Sequence, residues 1–379
     1  MSVGHISIFL PRPTQFYSDL FGQMKRGFEA HGVHISGALR HLNAEAMRQW
    51  CAEKRPQVVF EMNRARCEVP SLPRSIRHIV WVVDLGGRPV PSFAGSEIAY
   101  FFSPGWQVLY GQSGFNRWMG PGADEQCYPA APHIPATHAS FVGHMPLPWT
   151  EAQLRRNVTG GHANLTFADL LPDLERWLRS TPETRTPVAN DSATVADILC
   201  RRYCGHPLIA DDALRYDICG RLVRHIGRGD VADALVRHAP TLAFYGSPNW
   251  SHWPTYAPHY RGLLDRPSAL HAAYVGSAIN VHEGNGVHFR SMDVMSSRGL
   301  LFYREHWNDA KPGGMHEHFE PEVHYVPFTL DTLGEQMQRY LREPKRADRV
   351  RENAAEAIAA RHTWKHRAAG VLRDIQQVR

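Results

Sequence analysis

Five short apolar runs dominate the first hundred residues: HISIFL (5–10), VHISGAL (33–39), QVVFEM (57–62), RHIVWVVD (77–84) and EIAYFFS (97–103). They are almost continuously hydrophobic, as parallel strands buried on both faces must be, whereas half-exposed strands alternate. Between the first two runs, Phe16, Leu20, Met24 and Phe28 recur at helical spacing, and a second helix is expected over 42–54. Strands alternating with helices specify βαβ units and a doubly wound α/β sheet. The pattern breaks at the Pro/Gly-rich stretch GPGADEQCYPAAPHIPATH (120–138) and then resumes with ASFVGH (139–144), APTLAFYG (239–246), SAINVH (277–282) and GLLFY (299–303). Helices are predicted at 150–156, 166–178, 195–203, 213–227, 267–275, 290–297, 330–342 and 346–375. A chain of 379 residues needs more than one ordinary core. The expectation is two Rossmann-type domains, 1–135 and 136–360, facing a cleft.

Hydrophobic residues make up 43% of the chain and charged residues 21%, ordinary values for a globular protein. No apolar run approaches the ~18 residues of a membrane span. The start, MSVGHISIFLPRP, reads as a first strand and not as a signal peptide. The net charge of +5 comes without a long Lys/Arg block, which argues against nucleic acid and suits an anionic small ligand. Cys200, Cys204 and His206 cluster in sequence, but the spacing lacks the second half of a zinc site, so free thiols in a reducing cytoplasm are expected.

Ligands of open α/β sheets sit at the carboxyl ends of strands. HEGNGVHFRSMDVMSSRG (282–299) lies at such an end and opens a helix. His282, Gly284 and Gly286 form a loop that can approach a ligand closely. The helix start offers N–H groups and a positive dipole end to an anion, Arg290 a bidentate contact to phosphate, and Asp293 an acceptor for a ribose diol. SFVGHM (140–145) repeats the strand–glycine–helix context with Gly143 and His144, and Tyr245 with Gly246 ends another strand. On the first domain, Arg12 and Gln15 follow strand one and are placed at the acceptor or a donor phosphate. Asp84 stands where a strand runs into a glycine turn and is the favoured general base, with Asp19 and His144 as rivals. The loop SPNWSHWPTYAPHY (247–260) suggests an aromatic acceptor surface. Asp211–Asp212 falls in a helical stretch, not at a strand end where a metal-binding acidic pair would sit, so no metal is expected.

The C-terminal third resembles the CgeB-like (spore maturation type) glycosyltransferases of the GT-B superfamily. The resemblance rests, in order, on LAFYG, YRGLLDRPSALHAAYVGSAINVH (260–282), GVHFRSMDVMSSRGLLFY (286–303), HFEPEVHYVPF (318–328) and HTWKHR (362–367), with MGPGADEQCYPA and SFVGH similar to the family's interdomain joints. Over 1–110 the likeness is one of architecture. The resemblance implies sugar transfer from a UDP-, GDP- or dTDP-sugar to a glycan, protein or metabolite hydroxyl. It implies a donor-binding second domain, an acceptor-binding first domain, and a last helix (361–379) crossing back to the first. It assigns the donor ribose to Asp293, with Arg290 preceding it. This sequence departs from the family in carrying Asp where Glu is usual and Arg298 near a position usually small. A nucleotide-sugar epimerase of the same fold and a non-catalytic binding protein on the same scaffold are the alternatives. A two-lobed periplasmic-type binder is disfavoured by the start of the chain.

Overall fold

A computed structural model describes residues 3–84, 94–111, 114–180, 191–284 and 286–378. Two all-parallel sheets organise the chain. The first contains β1 (His5–Phe9), β2 (His34–Ala38), β3 (Val58–Met62), β4 (Arg77–Val82), β5 (Ile98–Phe101) and β6 (Phe115–Trp118), in the order β2-β1-β3-β4-β5-β6. The second contains β7 (Thr137–Val142), β8 (Leu242–Tyr245), β9 (Ser277–His282), β10 (Leu301–Arg304) and β11 (Val326–Phe328), in the order β11-β10-β9-β7-β8. In each sheet the chain runs to one side of the first strand and then to the other. The switch points, between β1 and β3 and between β7 and β9, are where crevices open at the strand ends.

The first sheet is covered by α1 (Gln15–Glu29) and α2 (Ala44–Lys54). Each starts on a side-chain cap, Thr14 accepting from the Tyr17 N–H and Asn43 from the Ala46 N–H. The predicted face of α1 is largely the buried one: Leu20, Met24 and Phe28 pack with Ile6, Ile8, Val58 and Phe60, while Phe16 stays half-exposed. β6 and β11 were not expected. They are four and three residues long and lie at sheet edges, too short for a hydrophobic pattern to register. The short helix α3 (Trp106–Tyr110) was also missed.

Between β7 and β8 the chain makes a long helical excursion: α4 (Glu151–Leu154), α5 (Phe167–Ser180), α6 (Asp191–Cys204), α7 (Asp212–Tyr216) and α8 (Leu222–His238). It closes its own small core, in which Phe167, Leu170 and Leu174 of α5 meet Ala196, Leu199 and Cys200 of α6 and Leu222 and Ile226 of α8. The helix expected at 213–227 continues through a π-helical stretch, Asp217–Arg221, to His238. Asp211 caps α7 by accepting from the Leu214 N–H at 2.7 Å. Cys200 and Cys204 are free thiols of α6.

The chain then adds α9 (Pro267–Val275), α10 (Phe289–Ser296), α11 (Met315–His318), α12 (Leu333–Arg342), α13 (Pro344–Arg361) and α14 (Trp364–Gln377). The single helix expected over 346–375 is two. At the break the backbone pairs with the interdomain linker: the Ala123 N–H donates to the His362 carbonyl at 2.9 Å and the Trp364 N–H to the Ala123 carbonyl at 3.0 Å. Those bonds turn the chain, and α14 crosses to the first domain. Trp364 enters that core, edge-on to Trp81 at 5.8 Å, and its indole N–H donates to Gln23 at 3.0 Å. Asp374 accepts from the Tyr100 hydroxyl at 2.7 Å and from Arg117 at 2.8 Å. Among the described residues no helix is long and apolar enough to cross a membrane.

Candidate active site

The carboxyl ends of β7, β8 and β9 meet at two glycines. Gly246 has φ 142°, and a Cβ there would lie 2.0 Å from the Gly143 carbonyl oxygen, so only glycine fits. The Trp250 indole N–H donates to that same oxygen at 2.8 Å, and the Gly143 N–H donates to the Tyr245 carbonyl at 2.9 Å. The space a side chain at Gly143 would fill is taken by the Arg290 guanidinium.

Arg290 reaches from α10 across the end of β7 to the Val142 carbonyl and forks onto Glu283, at 3.0 and 3.3 Å. Glu283 follows β9 directly. Its other partner is Arg228 of α8, whose Nε donates at 2.8 Å and whose NH1 donates to the His144 carbonyl. The Glu283 side chain is 14% exposed. Burial alone would raise its pKa, but the charges of Arg290 and Arg228 outweigh that and hold it well below the usual carboxylate range. The switch point of the second sheet is thus lined by two guanidiniums sharing one carboxylate. Arg304, at the end of β10, donates to the Gly227 carbonyl next to Arg228 at 3.2 Å and has the Asp230 carboxylate as its counter-charge.

His144 stands on the rim, its Nδ1 2.7 Å from the Ser247 hydroxyl. Burial, with Arg228 and Arg224, lowers its pKa and keeps it neutral. His282 is buried, accepts from the Gly284 N–H at 3.1 Å and stacks on Tyr303; burial pushes its pKa down to about 3. The Tyr303 hydroxyl donates to Asp309 at 2.7 Å and accepts from the Gly286 N–H at 2.6 Å, which pins the loop. Gly286 has φ 76° and faces Pro104 of the first domain, where a Cβ would lie 2.7 Å from the ring. Phe289 extends this contact, stacking on Phe102 at 5.5 Å and meeting Phe16 edge-on at 5.3 Å. The loop therefore closes against the facing domain.

The start of α10 is less open than a bare helix end. His288 accepts from the Arg290 N–H at 3.3 Å, and the Ser291 hydroxyl accepts from the His288 N–H at 3.0 Å. Asp293, one turn on, faces a separate environment of Tyr128, Asp124 and Tyr274. Burial raises its pKa well above the usual value, opposed by the hydrogen bond from Tyr128. Arg298 is exposed, with φ 59°, at the end of α10. The Arg298 N–H donates to the Met295 carbonyl and the Gly299 N–H to the Val294 carbonyl, the left-handed helix terminus at which glycine is preferred. Arg298 is therefore placed by helix termination, with its side chain exposed at the end of α10.

On the first domain, Arg12 and Asp84 come together around Tyr17, whose pKa is raised by burial, lowered by Arg12 and raised by Asp84. The Asp84 N–H donates to Asn63 Oδ1 at 3.0 Å. Gln15 instead donates to Asp19 at 3.0 Å within α1. The aromatic stretch 247–260 is mostly not a binding surface: Trp250 is fully buried and stacked on Phe244 at 4.5 Å, Tyr256 is buried, and the Trp253 indole donates to the Pro146 carbonyl at 2.9 Å. These rings face inward because they fill the core beside β8. Sequence reading singled out neither Glu283 nor Arg228. Glu283 carried a usable signal, a charged residue immediately after a buried strand. Arg228 carried only its place on an arginine-rich helix.

Residues 224–373 match the family described as glycosyl transferase-like. No curated protein matches the chain. Among solved structures, the sucrose-phosphate synthase of Thermosynechococcus elongatus superposes with a TM-score of 0.58 at 9% identity, covering 99% of this chain and 98% of that one. Anabaena HepE in complex with UDP superposes with a TM-score of 0.56 at 9% identity, covering 99% and 100%. HepE in complex with UDP-glucose gives 0.54 at 10% identity, covering 97% and 99%. Two parallel-sheet domains, strand-end glycines at their cleft and a last helix returning to the first domain are thus the GT-B glycosyltransferase fold, and residues 224–373 carry the glycosyl transferase-like sequence match within it.

Proposed function

We propose that the protein transfers a sugar from a nucleotide-sugar to an acceptor hydroxyl, with the narrower affinity lying with the CgeB-like branch. The observation that carries this reading is the convergence of Arg228 and Arg290 at the β7/β9 switch point, with Arg304 beside them. As the bond from the sugar C1 to the diphosphate oxygen breaks, negative charge grows on the leaving group. Fixed guanidiniums in a partly dry crevice stabilise that charge, the work that a metal ion does elsewhere. Glu283 holds both side chains in place before the donor arrives. Gly143 and Gly246 keep the strand ends low enough for the donor to pass, and His144 presents a neutral ring at the rim. Asp293 is assigned to the ribose diol. HepE with UDP and UDP-glucose supports a uridine donor for this fold.

The acceptor approaches from the first domain. In an inverting transfer its oxygen attacks C1, the new C–O bond forms as the phosphate departs, and Asp84 takes the proton. Arg12, beside it, orients the acceptor. The free cysteines support a reducing, cytoplasmic setting. The test is thermal stabilisation and nucleoside diphosphate release with UDP-, GDP- and dTDP-sugars. One donor should stabilise the wild type by mass action, and Arg290→Ala and Asp293→Ala should lose the effect. No stabilisation by any donor, with the chain folded, overturns the assignment.

A further inference from the structure

A second cationic groove lies away from the donor crevice, where both chain crossings between the domains pass. It is bounded by β5, β6, the end of α13 and α14, and has a volume of about 380 Å³. Its lining carries Arg117, Arg361, Arg367 and Arg373, against one carboxylate among the described residues, Asp374. Asp374 is already committed to Arg117 at 2.8 Å and to the Tyr100 hydroxyl at 2.7 Å. Arg367 is largely enclosed, and its donors go to the Gly120 and Pro121 carbonyls and to His362, all uncharged. Arg361 and Arg373 stand exposed at the rim.

Four guanidiniums and one spent carboxylate leave a net positive cavity of ligand size. A solvated surface normally intersperses charges of both signs, and a buried cation normally has a counter-charge. Here three of the four cations face no carboxylate of the lining. After burial, Arg367 and Arg361 are among the charges that lower the pKa of His362 to about 2, while at His318, lowered to about 4 by burial, the Glu317 carboxylate opposes the same two arginines.

We infer that this groove is a binding site for an oxyanion ligand carrying at least two negative charges, separate from the donor site and independent of the transferase reading. Arg361 and Arg373 grip the ligand from the rim, and Arg367 supplies the fixed charge beneath it. Phosphate groups of a small metabolite and carboxylates of an acidic glycan share the required chemistry. The experiment is calorimetric titration of the full chain with inorganic pyrophosphate and, separately, with an oligogalacturonate. Wild type, the double variant Arg361→Ala/Arg373→Ala and Arg224→Ala, whose charge acts on His144 at the rim of the donor crevice, are compared. Each lost charged contact should weaken binding about tenfold or more. Binding of either probe should therefore fall by at least about a hundredfold in the double variant and survive in Arg224→Ala. Preference for pyrophosphate identifies a small phosphorylated ligand, and preference for the oligosaccharide an acidic glycan. Binding unchanged in the double variant, or lost only in Arg224→Ala, overturns the inference, as does failure of wild type to bind either probe. Loss of donor binding elsewhere leaves it intact.

Discussion

Glu283→Gln is the sharpest perturbation of the donor crevice. The side chain accepts from Arg228 Nε at 2.8 Å and from Arg290 at 3.0 and 3.3 Å. Glutamine keeps the shape and removes the charge. At an effective dielectric near 20, each ion pair at ~4 Å is worth about 4 kcal/mol before desolvation, and breaking a buried pair costs about 3–5 kcal/mol net. The two guanidiniums would also repel each other once the carboxylate is neutral. We expect a loss of about 3 kcal/mol at pH 7, read as a fall in Tm of the second domain of about 6–12 °C. The folded pKa of Glu283 is depressed, so its contribution is full above its ordinary value of 4.5 and is lost as pH falls through the folded value. The difference between variant and wild type must therefore shrink in acid. A nucleoside diphosphate supplies the missing negative charge, so UDP should raise the variant's Tm by more than it raises the wild type's. A variant within about 2 °C of wild type would refute the energetic argument. A normal destabilisation without preferential rescue by UDP would confine the cluster to a structural role.

Trp364→Ala should cost about 3–5 kcal/mol and free α14 from the first domain, seen as early amide exchange over 364–377 while the β1–β5 strands stay protected. Arg298→Gly relieves a left-handed residue and should stabilise by about 1 kcal/mol, raising Tm by about 2–4 °C; an unchanged or lower Tm contradicts the helix-termination reading. His133, His225, His282, His318 and His362 are held neutral by burial, at about 4, 4, 3, 4 and 2. These folded values lie below 6.5, so the unfolded chain binds more protons in acid and stability must fall as pH drops below 6.5, by up to about 1.4 kcal/mol per pH unit per histidine. Unfolding near pH 5 should take up several protons, and stability that stays flat between pH 7 and 5 would disprove it.

The strands of the first domain were legible because parallel strands leave an uninterrupted apolar signature, and Ile6, Ile8, Val58, Val59, Ile79 and Val80 are all fully buried. β6 was not, because FNRW is half polar: it is an edge strand whose Arg117 turns outward to Asp374. The break at His362 escaped the periodicity for a different reason, although the resemblance set the last helix off at 361 and Thr363 caps it in a box with His366: what turns the backbone is Ala123, far away in sequence, which offers it two hydrogen bonds. The aromatic stretch 247–260 misled because composition does not say which way a ring faces. Trp250 turns inward only because Phe244 and the Gly143 carbonyl wait for it there.

The candidate site divides along the same line. Gly143, Gly246, His282 and Arg290 could be named in advance, since each sits within a few residues of a strand end or helix start and local chemistry marks it. The Glu283–Arg228 pair could not, because its partners are 55 residues apart and meet only after α8 returns from the helical excursion. That return sets the character of the crevice. Without Arg228, Glu283 would satisfy Arg290 alone, and the crevice would be close to neutral. With it, the cluster of Arg228, Arg290 and Glu283 carries one unit of excess positive charge, and that excess is what an incoming diphosphate can neutralise. The electrostatics of the donor crevice thus depend on a helix that returns from the excursion to pack on the second sheet. Shortening the excursion should therefore lower donor affinity even where the fold of both domains survives.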